Sequence, residues 1–246
     1  MTNSQPAPRA LITGAARRIG RAIALSMADA GYDIGVHFNA SRDEAEALAA
    51  EIEARGRRAV ALAANLADAD EVMGLVPQMV ARLGAPVCLI NNASEFRHDT
   101  LATVTPQSWA KHQDINLRAP VLLSQSLFLH LPEGAMGNVV NIIDQRVLKL
   151  TPDFFSYTIS KAGLWTATKT LAQALSPRVR VNAVGPGPVL ASVHQSAAEF
   201  SAEQVSTLLG RGSTPDEVAA AVLFILQAPA ITGQMIVLDG GQHLTF

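Results

Sequence analysis

Residues 9–20 read RALITGAARRIG, an apolar run followed by a loop that contains two glycines. The apolar run Arg9 to Thr13 predicts a short buried strand, and Ile19 to Ala30 places apolar residues near helical spacing. Gly14 and Gly20 lie in the loop between them, where glycine lets the backbone approach a pyrophosphate and the helix N-terminus attracts its charge. A purely structural turn has a similar composition, but at the start of the chain's first βαβ unit the stretch predicts dinucleotide binding.

Apolar runs and helical segments alternate along the rest of the chain. Six more strands are predicted, at residues 34–38, 59–63, 87–91, 138–143, 178–184 and 235–238. Strands alternating with helices indicate βαβ units and a parallel sheet, and continuously apolar strands indicate helices on both faces. We therefore expect a single α/β domain over residues 1–246, a Rossmann-type doubly wound parallel sheet of about seven strands flanked by helices.

Three segments between the strands carry more local expectations. Ser41 is predicted to cap the helix after the second strand. Residues 106–131 predict one long helix, with a bend at Pro120. Residues 188–212 show no clear periodicity, so they are predicted to form an irregular substrate loop, with three candidates to line the pocket: Leu190, His194 and Phe200.

Composition excludes several functional classes. With 246 residues, 16% of them charged, and a net charge of −2, the chain lacks the basic excess of nucleic-acid or membrane-surface binders. No apolar run approaches the ~20 residues of a membrane span, and residues 1–8 are polar without a signal core. The single cysteine, Cys88, lies in an apolar run, which predicts a core residue and a reducing, cytoplasmic setting. The six histidines lack ligand spacing, so no metal site is predicted.

The end of the second strand bears on the choice of dinucleotide. A carboxylate there would bind a ribose 2′-hydroxyl and favour NAD, but no carboxylate occurs before Asp43. Arg17, Ser41 and Arg42 could instead hold a 2′-phosphate, which favours NADPH. Arg42 taken alone could equally be a solvated residue at the start of a helix.

Tyr157 and Lys161 are four residues apart, so they share one face of a predicted helix. An ammonium group beside a phenol favours the phenolate, so Lys161 is expected to lower the pKa of Tyr157 from ~10 towards neutrality and make it a proton donor or acceptor. Asp144 follows the fifth strand, at the sheet edge where open α/β folds place their chemistry. Taken alone, the Tyr–Lys spacing is more often a solvated helix face.

Small and amide residues follow the fourth strand, at Asn91, Asn92, Ala93 and Ser94. They suit close contact with a cofactor, although an ordinary turn has the same composition. Phe96 comes next in a polar setting, where an isolated aromatic ring is either a core plug or a platform for a flat ligand.

Together these motifs resemble the short-chain dehydrogenase/reductase family: the loop at 13–20, residues 91–93, Asn116, Tyr157 with Lys161, and Pro186 with Gly187. The resemblance implies hydride transfer between a nicotinamide and a polarised C=O or C=N bond, in a homotetramer. It implies four catalytic residues, of which the asparagine holds a water: Asp144, Tyr157, Lys161 and Asn116. It also implies an NADP(H) site formed by Gly14, Arg17, Arg18, Ile19, Gly20, His37, Asn39, Ser41, Arg42, Asn65, Leu66, Asn92, Ala93, Ser94, Tyr157, Lys161, Pro186 and Gly187.

Two departures from the usual family pattern are similar to the pteridine reductase subgroup, which includes dihydromonapterin reductases. Arg18 replaces a third glycine, and Asp144 replaces the usual serine. The resemblance implies a pterin-like substrate whose ring lies between Phe96 and the nicotinamide. The implied substrate-binding residues are Arg18, Ser94, Phe96, Asp144 and Tyr157.

Two smaller departures concern the cofactor. Ala40 stands where the subgroup has a basic residue, so the expectation of NADPH depends more on Arg17, Ser41 and Arg42. Asn65 replaces the family's usual aspartate near the adenine.

Three functions remain open from the sequence. An NADPH-dependent reductase of a pterin-type C=N bond is favoured, because an ionised Asp144 accepts hydrogen bonds but cannot donate one to a ketone as serine does. A protonated Asp144 could deliver a proton to a ring nitrogen. An NADPH-dependent carbonyl reductase acting on a non-pterin ketone or aldehyde is the alternative. A catalytically idle NADP-binding sensor is the third, against which the intact Tyr157 and Lys161 weigh.

Overall fold

Seven parallel strands form one sheet in the computed structural model, which describes residues 7–191 and 195–245. Their spatial order is β3-β2-β1-β4-β5-β6-β7. The strands follow the apolar runs of the sequence: β1 (Arg9–Ile12), β2 (Asp33–Phe38), β3 (Ala59–Ala63), β4 (Cys88–Asn91), β5 (Gly137–Ile142), β6 (Val179–Pro186) and β7 (Met235–Leu238). The predicted Rossmann-type α/β sheet is therefore confirmed.

The chain order reverses beside the first strand. Ile12 of β1 pairs with Val36 of β2 on one side and with Ile90 of β4 on the other. In a doubly wound sheet, ligands bind in the crevice at such a reversal, beyond the carboxyl ends of the strands. The glycine-containing loop after β1 lies at this switch point.

Helices cover both faces of the sheet: α1 (Arg18–Asp29), α2 (Arg42–Ala54), α3 (Ala69–Arg82), α4 (Pro106–Gln113), α5 (Ala119–His130), α6 (Phe155–Leu175), α7 (Ala197–Val205) and α8 (Pro215–Gln227). One face packs α1, α2 and α8 around a core that includes Met27, Leu48 and Val222. The other packs α3, α5 and α6 around a core that includes Leu75, Leu127 and Val181. Within residues 7–191 and 195–245, no helix has the length and apolar character needed to cross a membrane.

The long helix predicted over residues 106–131 is interrupted by a π-helical turn, Asp114–Arg118. Pro120 has no N–H to donate to the Asn116 carbonyl. Directly before it, the Ala119 N–H donates to the Asp114 carbonyl, five residues back. The distortion therefore lies before the proline rather than at it, and it includes the fully buried Asn116.

The irregular loop predicted over residues 188–212 contains the helix α7. Its start is a reciprocal cap, in which the Ser196 hydroxyl accepts the Glu199 N–H and the Glu199 carboxylate accepts the Ser196 N–H. Ser41 stands at the N-cap of α2 as predicted, but its side chain makes no capping hydrogen bond. His194 and residues 1–6 lie outside the described residues.

Candidate active-site cleft

A cleft of about 1190 Å³ opens beyond the carboxyl ends of β1, β2, β4, β5 and β6. Segments far apart in the chain meet there, because the parallel strands all end at this edge of the sheet. Most of the predicted site residues line it: Gly14, Arg17, Arg18, Ile19, Gly20, Asn39, Ser41, Asn92, Ala93, Ser94, Phe96, Asp144, Tyr157, Lys161, Pro186 and Gly187.

The loop after β1 is shaped for close approach of a phosphate group. Gly14 has φ +60°, a conformation that favours glycine. A Cβ on Gly20 would lie 2.3 Å from the Gly14 carbonyl oxygen and 2.6 Å from Asn92 Nδ2. The Asn92 amide fixes the loop by donating to the carbonyls of Thr13 and Gly14, at 2.9 and 3.1 Å. No acidic side chain occupies the first turn of α1, so this cradle and helix N-terminus fit a dinucleotide pyrophosphate.

Arg18 begins α1 with φ +57°, a left-handed conformation in which a non-glycine residue is strained. Its guanidinium donates to the carbonyls of Ala191 and Leu190, at 2.9 and 3.1 Å. The side chain thus ties the phosphate-binding loop to the segment that follows β6. Its predicted contacts with cofactor phosphates and substrate stay predictions.

The residues predicted to select the 2′-phosphate are only partly brought together. Arg17 and Ser41 line the cleft, whereas Arg42 does not. The Arg42 guanidinium lies 5.3 Å from the centre of the Phe38 ring and pairs with Glu46 at 3.2 Å on the helix surface. Arg17 lies 3.5 Å from Glu44. Arg17 therefore carries the main cationic contribution at this end of the cleft.

His37 is buried beneath the loop rather than exposed to the cleft, so its predicted direct contact with the cofactor is wrong. Its Nδ1 accepts the Gly14 N–H at 3.0 Å, and its Nε2 lies 3.0 Å from the Ala64 carbonyl oxygen, to which it donates as the neutral ring. Burial lowers the pKa of His37 from 6.5 to about 4. The side chain supports the loop from behind. Asn65 and Leu66 also lie outside the cleft wall.

Tyr157 and Asp144 form the chemical centre of the cleft. The Tyr157 hydroxyl donates to Asp144 Oδ2 at 2.8 Å, and Asp144 Oδ1 accepts the Arg146 N–H at 2.8 Å. Burial raises the pKa of the Asp144 carboxyl, against the opposing hydrogen bonds. Burial, and then the Asp144 carboxylate, raise the pKa of Tyr157 well above its usual value. The Tyr157 hydroxyl therefore keeps its proton and donates it in the hydrogen bond to Asp144.

Lys161 contacts the backbone instead of the phenol oxygen. Its Nζ donates to the Ile142 carbonyl at 2.9 Å and lies 5.8 Å from the centre of the Tyr157 ring. Burial lowers the pKa of Lys161 to about 8, partly opposed by Asp144. The expectation that Lys161 brings the pKa of Tyr157 towards neutrality is wrong here, because Asp144 is the charged group hydrogen-bonded to the phenol.

Asn116 positions the segment before Phe96 from the interior. Its Oδ1 accepts the Glu95 N–H at 2.8 Å and the Ser94 hydroxyl at 3.2 Å. Its Nδ2 donates to the Glu95 carbonyl at 2.9 Å and to Ser160 Oγ at 3.0 Å. Both lone pairs and both N–H groups of the side-chain amide are therefore used, and the predicted water-holding role of Asn116 stays a prediction.

Phe96 belongs to an aromatic cluster that the sequence did not reveal. Its ring stacks on Phe154, with centroids 4.6 Å apart and planes 10° apart, and meets the Tyr157 ring edge-on at 4.7 Å. The Arg146 guanidinium lies over the Phe154 ring, 4.6 Å from its centre. Phe154 itself has φ +54°, a strained backbone that precedes α6 directly. The cluster forms an aromatic wall beside the proton-holding pair.

The second wall of the cleft comes from the segment after β6. Leu190 and Phe200 line it as predicted, together with Glu199 and Glu203 of α7. No group of histidine, cysteine, aspartate or glutamate side chains within the described residues is arranged to hold a metal ion. Cys88 is buried in the core, where desolvation raises the pKa of its thiol to about 12.

Comparisons with known proteins find similar chains along nearly the whole length of this one. A family model described as Enoyl-(Acyl carrier protein) reductase matches residues 14–243. A 3-oxoacyl-[acyl-carrier-protein] reductase FabG of Staphylococcus aureus is 34% identical over 240 residues, which cover 96% of this chain and 98% of that protein. A 3-oxoacyl-[acyl-carrier-protein] reductase of Synechocystis is 34% identical over 238 residues, 94% of this chain and 95% of that protein.

Two solved structures are more similar in sequence. FolM Alternative dihydrofolate reductase 1 from Brucella suis, in complex with NADP, is 45% identical, with a TM-score of 0.94 over 98% of this chain and 96% of that one. The Brucella canis protein of the same description, complexed with NADP, is 44% identical, with a TM-score of 0.92 over 97% and 95% of the two chains.

Proposed function

The chain belongs to the short-chain dehydrogenase/reductase family and is an oxidoreductase, and we propose that it uses NADPH to reduce the C=N bond of a reduced pterin. The substrate class comprises dihydropterins, dihydromonapterin and dihydrofolate. The observation that carries the proposal is the 2.8 Å hydrogen bond between the Tyr157 hydroxyl and Asp144, at the position where the family usually has serine.

The chemistry of this pair favours a ring nitrogen over a ketone oxygen. Reduction of a dihydropterin adds a hydride to C6 and a proton to N5 of its N5=C6 bond. The bound cofactor supplies the hydride. A serine hydroxyl is always available to donate to a ketone oxygen, whereas the Asp144 carboxyl can donate only in its protonated form. In this proposal, the Asp144 carboxyl takes up a proton, a form that burial favours, and Tyr157 passes a proton to the ring nitrogen.

The aromatic wall suits a flat substrate. Phe96 stacks on Phe154 and packs against Tyr157, so an aromatic surface lies beside the proton-holding pair. Ser94 adds a hydroxyl to the same wall, and Asn116 fixes it from behind. In this proposal, the rings orient the pterin while Asp144 and Tyr157 hold the proton.

The proposal for NADP(H) rests on the phosphate-binding loop and Arg17. The two similar Brucella structures are described in complex with NADP, which supports the same cofactor here. Their description as alternative dihydrofolate reductases also supports a pterin substrate. A homotetramer in the cytoplasm remains a proposal from the family resemblance.

A second candidate is an NADPH-dependent carbonyl reductase for a non-pterin ketone or aldehyde. The similarity to 3-oxoacyl-[acyl-carrier-protein] reductases, at 34% identity, favours it. The Asp144–Tyr157 pair weighs against it, because this pair offers one hydroxyl donor where serine and tyrosine together offer two.

Steady-state oxidation of NADPH by the purified protein separates the two candidates. The substrates are dihydrobiopterin, dihydromonapterin, dihydrofolate and an acetoacetyl thioester, each with NADPH and with NADH. Turnover of a pterin, with NADH much poorer, supports the proposal. Turnover of the thioester alone contradicts it and supports the carbonyl reductase.

A further inference from the structure

Arg146 occupies a fixed place at the catalytic end of the cleft. It follows Asp144 by two residues within a short 3₁₀ turn, and its N–H donates to Asp144 Oδ1 at 2.8 Å. Its side chain lines the cleft, where the guanidinium lies 4.6 Å from the centre of the Phe154 ring. The backbone bond and the ring contact hold this cation beside the aromatic wall.

Arg146 differs from the other arginines that line the cleft. Arg17 lies 3.5 Å from a Glu44 oxygen, Arg97 lies 2.7 Å from a Glu95 oxygen, and Arg18 donates to two backbone carbonyls. Within residues 7–191 and 195–245, the guanidinium of Arg146 has no hydrogen-bonded or ion-paired oxygen; it lies over the Phe154 ring, and its charge partly opposes the increase that burial causes in the pKa of Asp144 and of Tyr157. The five N–H donors of this guanidinium are therefore left for a ligand.

The surroundings of Arg146 favour an anion as that ligand. A guanidinium matches a carboxylate through two parallel hydrogen bonds, and stacking on Phe154 holds its plane in one orientation. The wall formed by the segment after β6 carries the carboxylates Glu199 and Glu203, which repel an anion. The two walls therefore discriminate between a substrate with an anionic end and a neutral one.

We propose that Arg146 forms a carboxylate-binding subsite that makes the cleft prefer reduced pterins with an anionic side chain, as in dihydrofolate, over those with a neutral polyol side chain. This inference rests on the proposed function, because it concerns the substituent of the same pterin ring. Arg146 is then a specificity-determining residue, distinct from the pair that holds the proton.

The test is a ratio of specificity constants in the full-length protein. We measure kcat/KM for dihydrofolate and for dihydrobiopterin at saturating NADPH, in the wild type and in Arg146→Met, which keeps an unbranched side chain that can pack on the Phe154 ring but removes the charge. In Arg146→Met, the kcat/KM for dihydrofolate divided by that for dihydrobiopterin should fall by about tenfold to a hundredfold, because a charge-assisted hydrogen bond to the carboxylate is lost. Effects transmitted through Asp144 and Tyr157 cancel in the ratio, because both substrates undergo the same reduction.

Two further variants sharpen the comparison. Arg146→Lys keeps the charge without the two-pronged geometry and should restore part of the ratio. Arg97→Met removes a cleft arginine that is already paired with Glu95, and the ratio should stay within about twofold of the wild type. An unchanged thermal midpoint and NADPH affinity show that Arg146→Met is folded.

The outcomes separate the inference from the proposed function. An unchanged ratio in Arg146→Met overturns the inference, as does a wild type that reduces dihydrobiopterin but not dihydrofolate. In both cases the proposed pterin reduction stands. A wild type that reduces only the acetoacetyl thioester overturns both.

Discussion

Replacing Asp144 by asparagine removes the proton-holding carboxyl while keeping its size. Asp144 accepts hydrogen bonds from the Tyr157 hydroxyl and from the Arg146 N–H, both at 2.8 Å. An amide can accept only one of these with its oxygen and cannot store a proton for transfer. General acid–base catalysis contributes about 10²–10⁴ in rate, so kcat for a dihydropterin should fall by about a hundredfold or more, or about 3 kcal/mol in barrier height.

The pH dependence adds a second readout. Because burial raises the pKa of Asp144 and reduction needs its protonated form, wild-type kcat should fall as pH rises through that pKa. The variant should lack this limb. The pKa of Asp144 is higher in the folded protein than in the unfolded chain. Asp144 therefore contributes to folding stability at low pH, and this contribution is lost as the pH rises through the pKa of the folded protein. Asp144→Asn should therefore be at least as stable as the wild type above neutral pH.

The assay is steady-state NADPH oxidation across pH, with NADPH affinity and thermal unfolding measured on the same samples. Asp153→Asn is the matched control, because Asp153 is an exposed carboxylate whose single ion pair among the described residues is with His98, at 3.3 Å. Its kcat should stay within about twofold. If Asp144→Asn keeps kcat within about threefold and retains the wild-type pH profile, the role assigned to Asp144 is refuted.

Three other positions give independent predictions. Burial lowers the pKa of His37 from 6.5 to about 4, so the free energy of unfolding should fall by about 3 kcal/mol as the pH drops from 6.5 to 4. In His37→Gln, the free energy of unfolding measured in urea should depend less on pH than in the wild type. Gly20→Ala places a Cβ 2.3 Å from the Gly14 carbonyl oxygen, so fluorescence titration should show NADPH binding weakened by about tenfold or more. An affinity equal to that of the wild type would contradict the assignment of this loop as the phosphate-binding site. Phe96→Leu removes the stack on Phe154 and should raise KM for a dihydropterin by about three- to tenfold with kcat less affected; an unchanged KM would exclude the platform role.

The sheet and the main wall of the cleft were predictable because their signals are local. Continuous apolar runs such as Val139 to Ile143 mark buried parallel strands, and the residue after each run must then lie at the carboxyl edge. Asp144 and Asn92 could be placed in the cleft on this basis alone. The start of α7 was missed, because residues 188–212 were predicted to form an irregular loop although Ser196 and Glu199 have the spacing of a capping box.

Side-chain direction and long-range partners were not predictable. His37 lies in a strand that is buried on both faces, so alternation could not show that its ring points beneath the loop. Lys161 donates to a carbonyl of β5, nineteen residues earlier in the chain, and only the packing of α6 on the sheet brings the two together. Phe154 and Arg146 likewise acquire their roles through contacts with Phe96 and with each other.

The most direct test of pterin reduction is the position of the transferred hydrogen. The purified protein is incubated with dihydrobiopterin and NADPH deuterated at C4 of the nicotinamide, and the product is analysed by mass spectrometry and NMR. The account predicts tetrahydrobiopterin with one deuterium at C6. An unlabelled, unreduced pterin, together with deuterium transfer to an acetoacetyl thioester under the same conditions, would contradict it.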